Sequence, residues 1–140
     1  MGGAAILLAN PALDADALVL EMVYPTINQA ISDRLESRLG KVGRILTPLL
    51  SWQLKPRLGI SPADLQPIDR VASIRAPKLF IAGENDAYTR IDESRAIVAS
   101  AADPKELWVI NGAKHEDLFR FAGQEYERRI LQFFDRALRQ

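Results

Sequence analysis

The sequence predicts an α/β fold in which about three parallel strands lie between two layers of helices. Three apolar runs of strand length occur at residues 17–23, 78–82 and 106–110, and helical patterns separate and follow them. Parallel neighbours need a crossover connection of a dozen or more residues, so strands separated by helices indicate a parallel sheet. The continuous apolar run at residues 17–23 is typical of a strand that is covered on both faces.

The composition is that of an ordinary globular protein. A chain of 140 residues is long enough for one domain that buries about 70% of its unfolded surface, so residues 1–140 are predicted to form a single domain. The formal net charge is zero, which offers no electrostatic basis for nucleic-acid binding. With no cysteine and one histidine, no metal site and no cofactor is predicted.

The N-terminal stretch does not have the pattern of a targeting or membrane-spanning segment. Residues 1–9 are apolar, but no basic residue precedes them and they are too few to span a bilayer. We therefore expect a cytoplasmic protein without a membrane span. Gly2 and Gly3 are not followed by the further glycines, or the Gly-Lys-Ser/Thr, of a phosphate-binding turn, so no such site is predicted.

The segments before the second strand are mainly helical. Residues 4–9 predict a first helix, because they are apolar or good helix formers. After the first strand, residues 27–39 place apolar side chains at helical spacing, and Gly40 ends this amphipathic helix. A more apolar helical piece is predicted over residues 42–54, and residues 56–67 are rich in turn-forming residues.

The segments around and after the second strand are also helical. A short helical segment is predicted at residues 69–74, and a helix at residues 91–102 joins the second strand to the third. A closing helix is predicted at residues 125–139. Its predicted sheet-facing side carries Tyr126, Ile130, Phe133, Phe134 and Leu138. Its arginines are expected to form a solvated face rather than a ligand site.

Two residues with catalytic potential follow neighbouring strands. Asp86 comes after the second strand, and His115, the only histidine, comes after the third. The carboxyl ends of parallel strands meet at one edge of the sheet, where open α/β sheets carry their chemistry, so these two side chains can meet. A carboxylate that holds the tautomer of a histidine makes that histidine a general base. The alternative is that both are capping and hydrogen-bonding residues.

Three segments carry a resemblance to a known family. Residues 80–86 are an apolar strand followed by Gly-x-x-Asp, residues 109–115 are a strand followed by Gly-x-x-His, and residues 1–5 read Met-Gly-Gly-Ala-Ala. Together they resemble the α/β-hydrolase superfamily, in particular its esterases, lipases and lysophospholipase-like serine hydrolases. In that family the corresponding segments hold the triad acid, the triad base and the end of the nucleophile elbow Gly-x-Ser-x-Gly-Gly.

The resemblance implies a three-layer αβα fold that corresponds to the C-terminal part of a hydrolase of carboxylic esters or related acyl compounds. It assigns Asp86 as the triad acid and His115 as the triad base. It places the nucleophile just before Met1 and makes Met1 the candidate oxyanion-hole donor. No Gly-x-Ser-x-Gly occurs in the chain, so we expect a truncated form that is inactive by itself. An aspartate nucleophile is an alternative to the serine.

The resemblance also implies that residues 24–67 are a cap-like helical insertion. Its apolar positions are Ile45, Leu46, Leu49, Leu50 and Trp52. These side chains could shape an acyl pocket, and a helix packed on the sheet is an equal alternative. Interfacial membrane contact is disfavoured, because basic residues near these positions are few.

Three other carboxylates lie close to the predicted pair in the sequence. Glu84 is the alternative triad acid, although the Gly-x-x-Asp register favours Asp86. Glu116 and Asp117 follow His115 directly, where they could tune it or simply be surface carboxylates.

The first strand is the predicted site of association with other chains. Without a further strand beside it, the run at residues 17–23 is an open apolar edge, so we expect self-association or pairing with the missing N-terminal half. The second functional hypothesis follows from the same edge. In it the chain is a non-catalytic α/β module that binds a partner through this edge, and Asp86 and His115 are structural.

Overall fold

A computed structural model describes residues 2–9 and 14–139. Its strands are β1 (Leu18–Glu21), β2 (Lys78–Gly83) and β3 (Lys105–Ile110), which form one parallel sheet in the order β1-β2-β3. In the register of this sheet, Phe80 of the central strand pairs with Leu20 of β1 and with Leu107 of β3. The predicted α/β class with three parallel strands is confirmed, although β1 is shorter than predicted.

The helices are α1 (Gly2–Leu8), α2 (Ile27–Leu39), α3 (Thr47–Trp52), α4 (Leu54–Leu58), α5 (Pro67–Arg70), α6 (Ile91–Ser100), α7 (Leu118–Ala122) and α8 (Gln124–Ala137). Short 3₁₀ segments lie at Gly40–Leu46, Pro62–Asp64 and Val71–Ser73. The single helical piece predicted at residues 42–54 is therefore a 3₁₀ segment followed by two short α-helices, with α3 beginning at Thr47-Pro48. The pattern analysis did not predict α7.

Apolar side chains pack on both faces of the sheet, which gives three layers. On one face the strands pack against α1 and α6, in a cluster that includes Leu7, Leu20, Phe80 and Ile97. On the other face they pack against α7 and α8, in a cluster that includes Ile81, Trp108, Leu118 and Phe133. Each large apolar side chain buried in this way contributes about 1.5–3 kcal/mol. The central strand β2 is buried at every position, and residues 79–82 form its apolar part.

One charged side chain is buried at the start of the central strand. Lys78 is fully buried, and its Nζ donates hydrogen bonds of 2.8 Å to the carbonyl oxygens of Ala76 and Ala102. Burial lowers the pKa of this amine, because the charged form loses its hydration. Its two carbonyl partners offset part of that loss at the amino end of the sheet.

Helix α8 packs on the sheet through most of the predicted face. Phe133 is buried, but Leu138 is 60% exposed, so its predicted place on this face is wrong. The reason is that Ala137 takes the inward position at this end of the helix, and α8 ends there. The arginines of α8 are about half exposed or more, and Arg136 pairs with Glu106 of β3 at 2.8 Å.

The segment that follows α2 packs mainly on α2. Ser51 of α3 donates a hydrogen bond of 2.6 Å to the Oδ1 atom of Asn28. Gly43 lies so close to α2 that a Cβ atom there would be 2.4 Å from the carbonyl oxygen of Leu35. The five apolar side chains predicted to line a pocket or to pack on the sheet are exposed by 40–76%. The alternative of a helix packed on the sheet is therefore wrong for them.

Among the described residues, no helix combines the length and apolarity needed to cross a membrane.

Candidate active site

The loops after β2 and β3 are bound to each other at the carboxyl edge of the sheet. Gly83 ends β2, and a Cβ atom there would lie 2.6 Å from the carbonyl oxygen of Ala113, so only glycine allows this close approach. The Asn85 amide donates to the same carbonyl oxygen at 2.8 Å. The Glu84 carboxylate accepts a hydrogen bond of 2.8 Å from the amide of Gly112, whose positive φ of 75° favours glycine. These contacts hold the two loops in a fixed relation.

Asp86 and His115 meet at this edge. The Oδ2 atom of Asp86 lies 2.8 Å from the Nδ1 atom of His115. The carboxylate is fully buried, whereas the imidazole is 34% exposed. With Nδ1 bound to the carboxylate, Nε2 is the ring nitrogen that is left to exchange a proton with a reactant.

The Asp86 carboxylate is held by its own loop. Its Oδ1 atom accepts hydrogen bonds from the amides of Tyr88, at 2.7 Å, and Thr89, at 3.0 Å. Its Oδ2 atom accepts a third hydrogen bond, of 2.6 Å, from the Thr89 hydroxyl. A buried charge needs such partners, and here they also set the orientation of Oδ2 towards His115. Sequence reasoning did not identify Thr89 or Tyr88, because their contacts depend on the turn of this loop.

Tyr88 connects the histidine to the cap-like segment. Its ring packs edge-on against the imidazole of His115, with ring centroids 5.2 Å apart and an interplanar angle of 85°. On the other side, the Arg34 guanidinium of α2 lies 4.7 Å from the centroid of the Tyr88 ring. This aromatic contact restricts the rotation of the imidazole.

A cavity of about 310 Å³ lies between α2 and the histidine. Its apolar wall consists of Met22, Tyr24, Ile27, Ala30 and Ile31. Arg34, Tyr88, Thr89 and His115 complete the lining. Small-molecule sites typically have this size and this combination of an apolar wall with a few polar groups.

A second cavity, of about 510 Å³, is also lined by His115. Gly2 and Gly3, at the start of α1, line it together with His115, Met22 and Tyr126. Met22 borders both cavities and has a positive φ of 45°, which is uncommon for a side chain of this kind. Met1, the candidate oxyanion-hole donor, lies outside the described residues.

The Tyr126 hydroxyl, in the second cavity, donates a hydrogen bond to the carboxylate of Glu21. Burial and the neighbouring Glu21 charge raise the pKa of Tyr126 above its usual value. The phenol is therefore neutral and serves as a hydrogen-bond donor that joins α8 to β1.

The other predicted carboxylates have different partners. Glu84 binds the Gly112 amide, Glu116 accepts a hydrogen bond of 3.0 Å from the amide of Lys114, and Asp117 caps α7. Among the hydrogen bonds of the described residues, the Asp86 carboxylate is the only carboxylate that contacts His115. No group of three or more metal-ligating side chains occurs within residues 2–9 and 14–139.

A buried carboxyl pair lies between α2 of the cap-like segment and α6, and sequence reasoning did not identify it. Asp33 of α2 and Glu93 of α6 are 3% and 5% exposed. Burial and the neighbouring Asp33 raise the pKa of Glu93 to about 7. Arg90 lies 3.9 Å from one oxygen of Asp33. These two acidic residues are 60 positions apart in the sequence, and only the tertiary structure brings them together.

The fold is shared with solved α/β-hydrolases. An esterase of Pyrococcus furiosus superimposes with a TM-score of 0.65 and 16% identity, over 99% of this chain and 51% of the esterase. An α/β-hydrolase enzyme from the metagenome of Moroccan lagoon sediments superimposes with a TM-score of 0.62 and 18% identity. The match covers 96% of this chain and 57% of that enzyme. A monoacylglycerol lipase of Paleococcus ferrophilus superimposes with a TM-score of 0.59 and 19% identity. The match covers 94% of this chain and 63% of the lipase.

These matches show that the chain has the α/β-hydrolase fold, as the resemblance implied. The chain spans between half and two thirds of the length of these structures, which is compatible with the C-terminal part of the fold. An uncharacterized protein of Mycobacterium tuberculosis is 44% identical over 50 residues, which are 36% of this chain and 18% of that protein. No protein-family model matches the sequence.

Proposed function

We propose that the chain supplies the acid and the base of a Ser-His-Asp hydrolase. The observation that carries the proposal is the 2.8 Å contact between the buried Asp86 carboxylate and Nδ1 of the partly exposed His115. In this arrangement Nε2 of His115 accepts the proton of the nucleophile. Asp86 holds the imidazole in the required tautomer and stabilises the imidazolium that forms.

The second cavity supports a place for the nucleophile. Gly2 and Gly3 line it together with His115, and they are the residues that resemble the glycines after an elbow serine. A nucleophile that directly precedes Met1 would enter this cavity and face the histidine. The chain itself contains no Gly-x-Ser-x-Gly, so the 140 residues should not turn over an ester by themselves. An aspartate in the same place is the alternative nucleophile.

The first cavity supports an acyl substrate. Its apolar wall is formed by β1-adjacent residues and by α2, and it opens beside His115. A carboxylic ester or related acyl compound would place its chain against this wall and its carbonyl near the histidine. In this proposal residues 1–140 are one domain, and residues 24–67 are the cap that shapes the substrate site.

The decisive experiment begins with the reading frame upstream of the Met1 codon. We expect an in-frame strand that ends in Gly-x-Ser. The extended protein should then hydrolyse p-nitrophenyl esters, and Asp86→Asn or His115→Asn should lower kcat by about 10³–10⁴-fold. Glu116→Gln is the matched control, because it changes an exposed carboxylate directly beside His115.

The extended protein also gives the outcomes that would contradict the proposal. An extended protein with full activity in His115→Asn would rule out the triad role. Ester turnover by the 140-residue chain that disappears in His115→Ala would instead refute the upstream nucleophile, because that result would require a nucleophile within the chain. A stop codon directly before Met1 would favour the second function described next.

The second candidate is a non-catalytic α/β module that binds a partner through the edge of its sheet. One observation favours it, since within the described residues β1 pairs only with β2 and leaves its other side open. Open edges pair with other chains. If this function is correct, substitution of Asp86 or His115 changes the stability of the protein but not its affinity for the partner.

A further inference from the structure

The described residues concentrate their exposed apolar side chains in one segment. Nine of the thirteen exposed large apolar residues lie between positions 39 and 60, with exposures from 39% to 76%. They are Leu39, Val42, Ile45, Leu46, Leu49, Leu50, Trp52, Leu58 and Ile60. We refer to these nine side chains as the cap surface. Globular proteins rarely expose such a concentration unless it contacts something else.

The same segment has one sign of charge. Residues 38–60 contain Arg38, Lys41, Arg44, Lys55 and Arg57 but no aspartate or glutamate. All five basic residues are exposed. Because the formal net charge of the chain is zero, the rest of the sequence carries a net charge of minus five. The charge of the molecule is therefore strongly divided between this segment and the remainder.

Most of these basic residues have no carboxylate partner. Arg44 lies 3.5 Å from Glu36 of α2. Among the ion pairs of the described residues, none includes Arg38, Lys41, Lys55 or Arg57. The cations are therefore available to an external anionic surface.

We propose that residues 38–60 form an interfacial binding surface for membranes that contain anionic lipids. Exposed leucine, isoleucine and tryptophan side chains enter the boundary between headgroups and acyl chains, while lysines and arginines contact the lipid phosphates. Trp52 is 70% exposed, and tryptophan favours this boundary because its ring is apolar and its indole N–H is polar.

The basic residues of this segment lie on either side of residues 45–52. Residues 45–54 contain no basic residue, but the exposed surface extends on both sides to positions 38 and 60. A second copy of the chain does not fit this surface in a symmetric pair, because five positive charges would face five positive charges. Helix α2 connects this segment with residues that line the cavity beside His115.

The test is binding of the full chain to lipid vesicles. Phosphatidylcholine vesicles with phosphatidylglycerol should bind the protein, whereas vesicles of phosphatidylcholine alone should bind it far more weakly. Trp52 gives a spectroscopic signal, since its emission should move to shorter wavelength on binding, and Trp52→Phe should lose that shift. The second tryptophan, Trp108, is 7% exposed and should respond little.

Two variants separate the contributions of charge and apolar contact. The double substitution Lys55→Gln and Arg57→Gln should weaken binding by about 20- to 30-fold, at about fivefold per charge near an anionic surface. Ile45→Asp should also weaken binding strongly. Leu131→Asp on α8 is the matched control, because Leu131 is 61% exposed but lies outside the cap surface. Circular dichroism of each variant verifies that the fold is retained.

Several outcomes would overturn the proposal. Equal binding to both kinds of vesicle would remove the role of charge. Unchanged binding of the Lys55→Gln and Arg57→Gln double variant would also remove the role of charge. Both positions are exposed, so the substitutions should not affect folding. A blue-shifted Trp52 that depends on protein concentration without lipid would show that a second copy covers the surface instead.

Discussion

The buried carboxyl pair of Asp33 and Glu93 is expected to make the protein less stable as the pH rises. Burial and the neighbouring Asp33 raise the pKa of Glu93 from 4.5 to about 7. The unfolded chain releases this proton near pH 4.5, whereas the folded protein retains it until about pH 7. The stability that the proton contributes is therefore complete below pH 4.5 and is lost as the pH rises through 7.

The size of this loss follows from the interval between the two pKa values. Each pH unit of difference corresponds to about 1.4 kcal/mol, so ionisation of Glu93 lowers the free energy of unfolding by roughly 3 kcal/mol. Burial also raises the pKa of Asp33, which acts in the same direction. A change of this size is a large part of the roughly 5–15 kcal/mol that stabilises a typical domain.

Glu93→Gln isolates the effect. Glutamine is neutral at every pH, and its amide can donate a hydrogen bond to the Asp33 carboxylate, as protonated Glu93 does. We expect variant and wild type to have similar stability near pH 4.5, and the variant to be more stable by up to about 3 kcal/mol at pH 8. Urea unfolding followed by circular dichroism measures this difference. Glu127→Gln, an exposed glutamate on α8, should change stability by less than about 0.5 kcal/mol at either pH.

The pH dependence decides whether the reasoning is correct. If wild type and Glu93→Gln differ by the same amount at pH 5 and at pH 8, the folded protein does not retain a proton on this pair. If Glu127→Gln shows the same trend as Glu93→Gln, the effect comes from net charge rather than from burial.

Three further substitutions test the packing by urea unfolding. Gly43→Ala should lower the free energy of unfolding by about 1–3 kcal/mol, because a Cβ atom would lie 2.4 Å from a carbonyl oxygen of α2. An unchanged urea midpoint would contradict this close packing. Phe133→Ala should lower the free energy of unfolding by about 3–5 kcal/mol, whereas Leu138→Ala should lower it by less than about 0.5 kcal/mol. Equal losses in the two variants would mean that α8 packs differently. Thr89→Val removes a 2.6 Å hydrogen bond to Asp86 and should cost about 2 kcal/mol, and a neutral result would mean that this bond does not stabilise the carboxylate.

Local sequence pattern was enough to predict the sheet and the contact between its loops. Residues 79–82 of β2 and 107–110 of β3 are apolar, and the residues after these strands carry a carboxylate and a histidine. A parallel arrangement then brings Asp86 and His115 to one edge, whatever the details of packing. Helix α2 was predicted with its end at Gly40, because amphipathic spacing and a following glycine are local signals.

Tertiary structure decided which side chains are buried and what they contact. Residues 39–60 have the apolar content of a core segment, yet they lie on the surface because α2 is their main support. Asp33 of α2 and Glu93 of α6 have the polarity of surface residues, yet both are buried. The physical reason is common to both cases. Polarity and spacing predict a helix and its faces, whereas burial depends on which elements from distant parts of the chain cover each face.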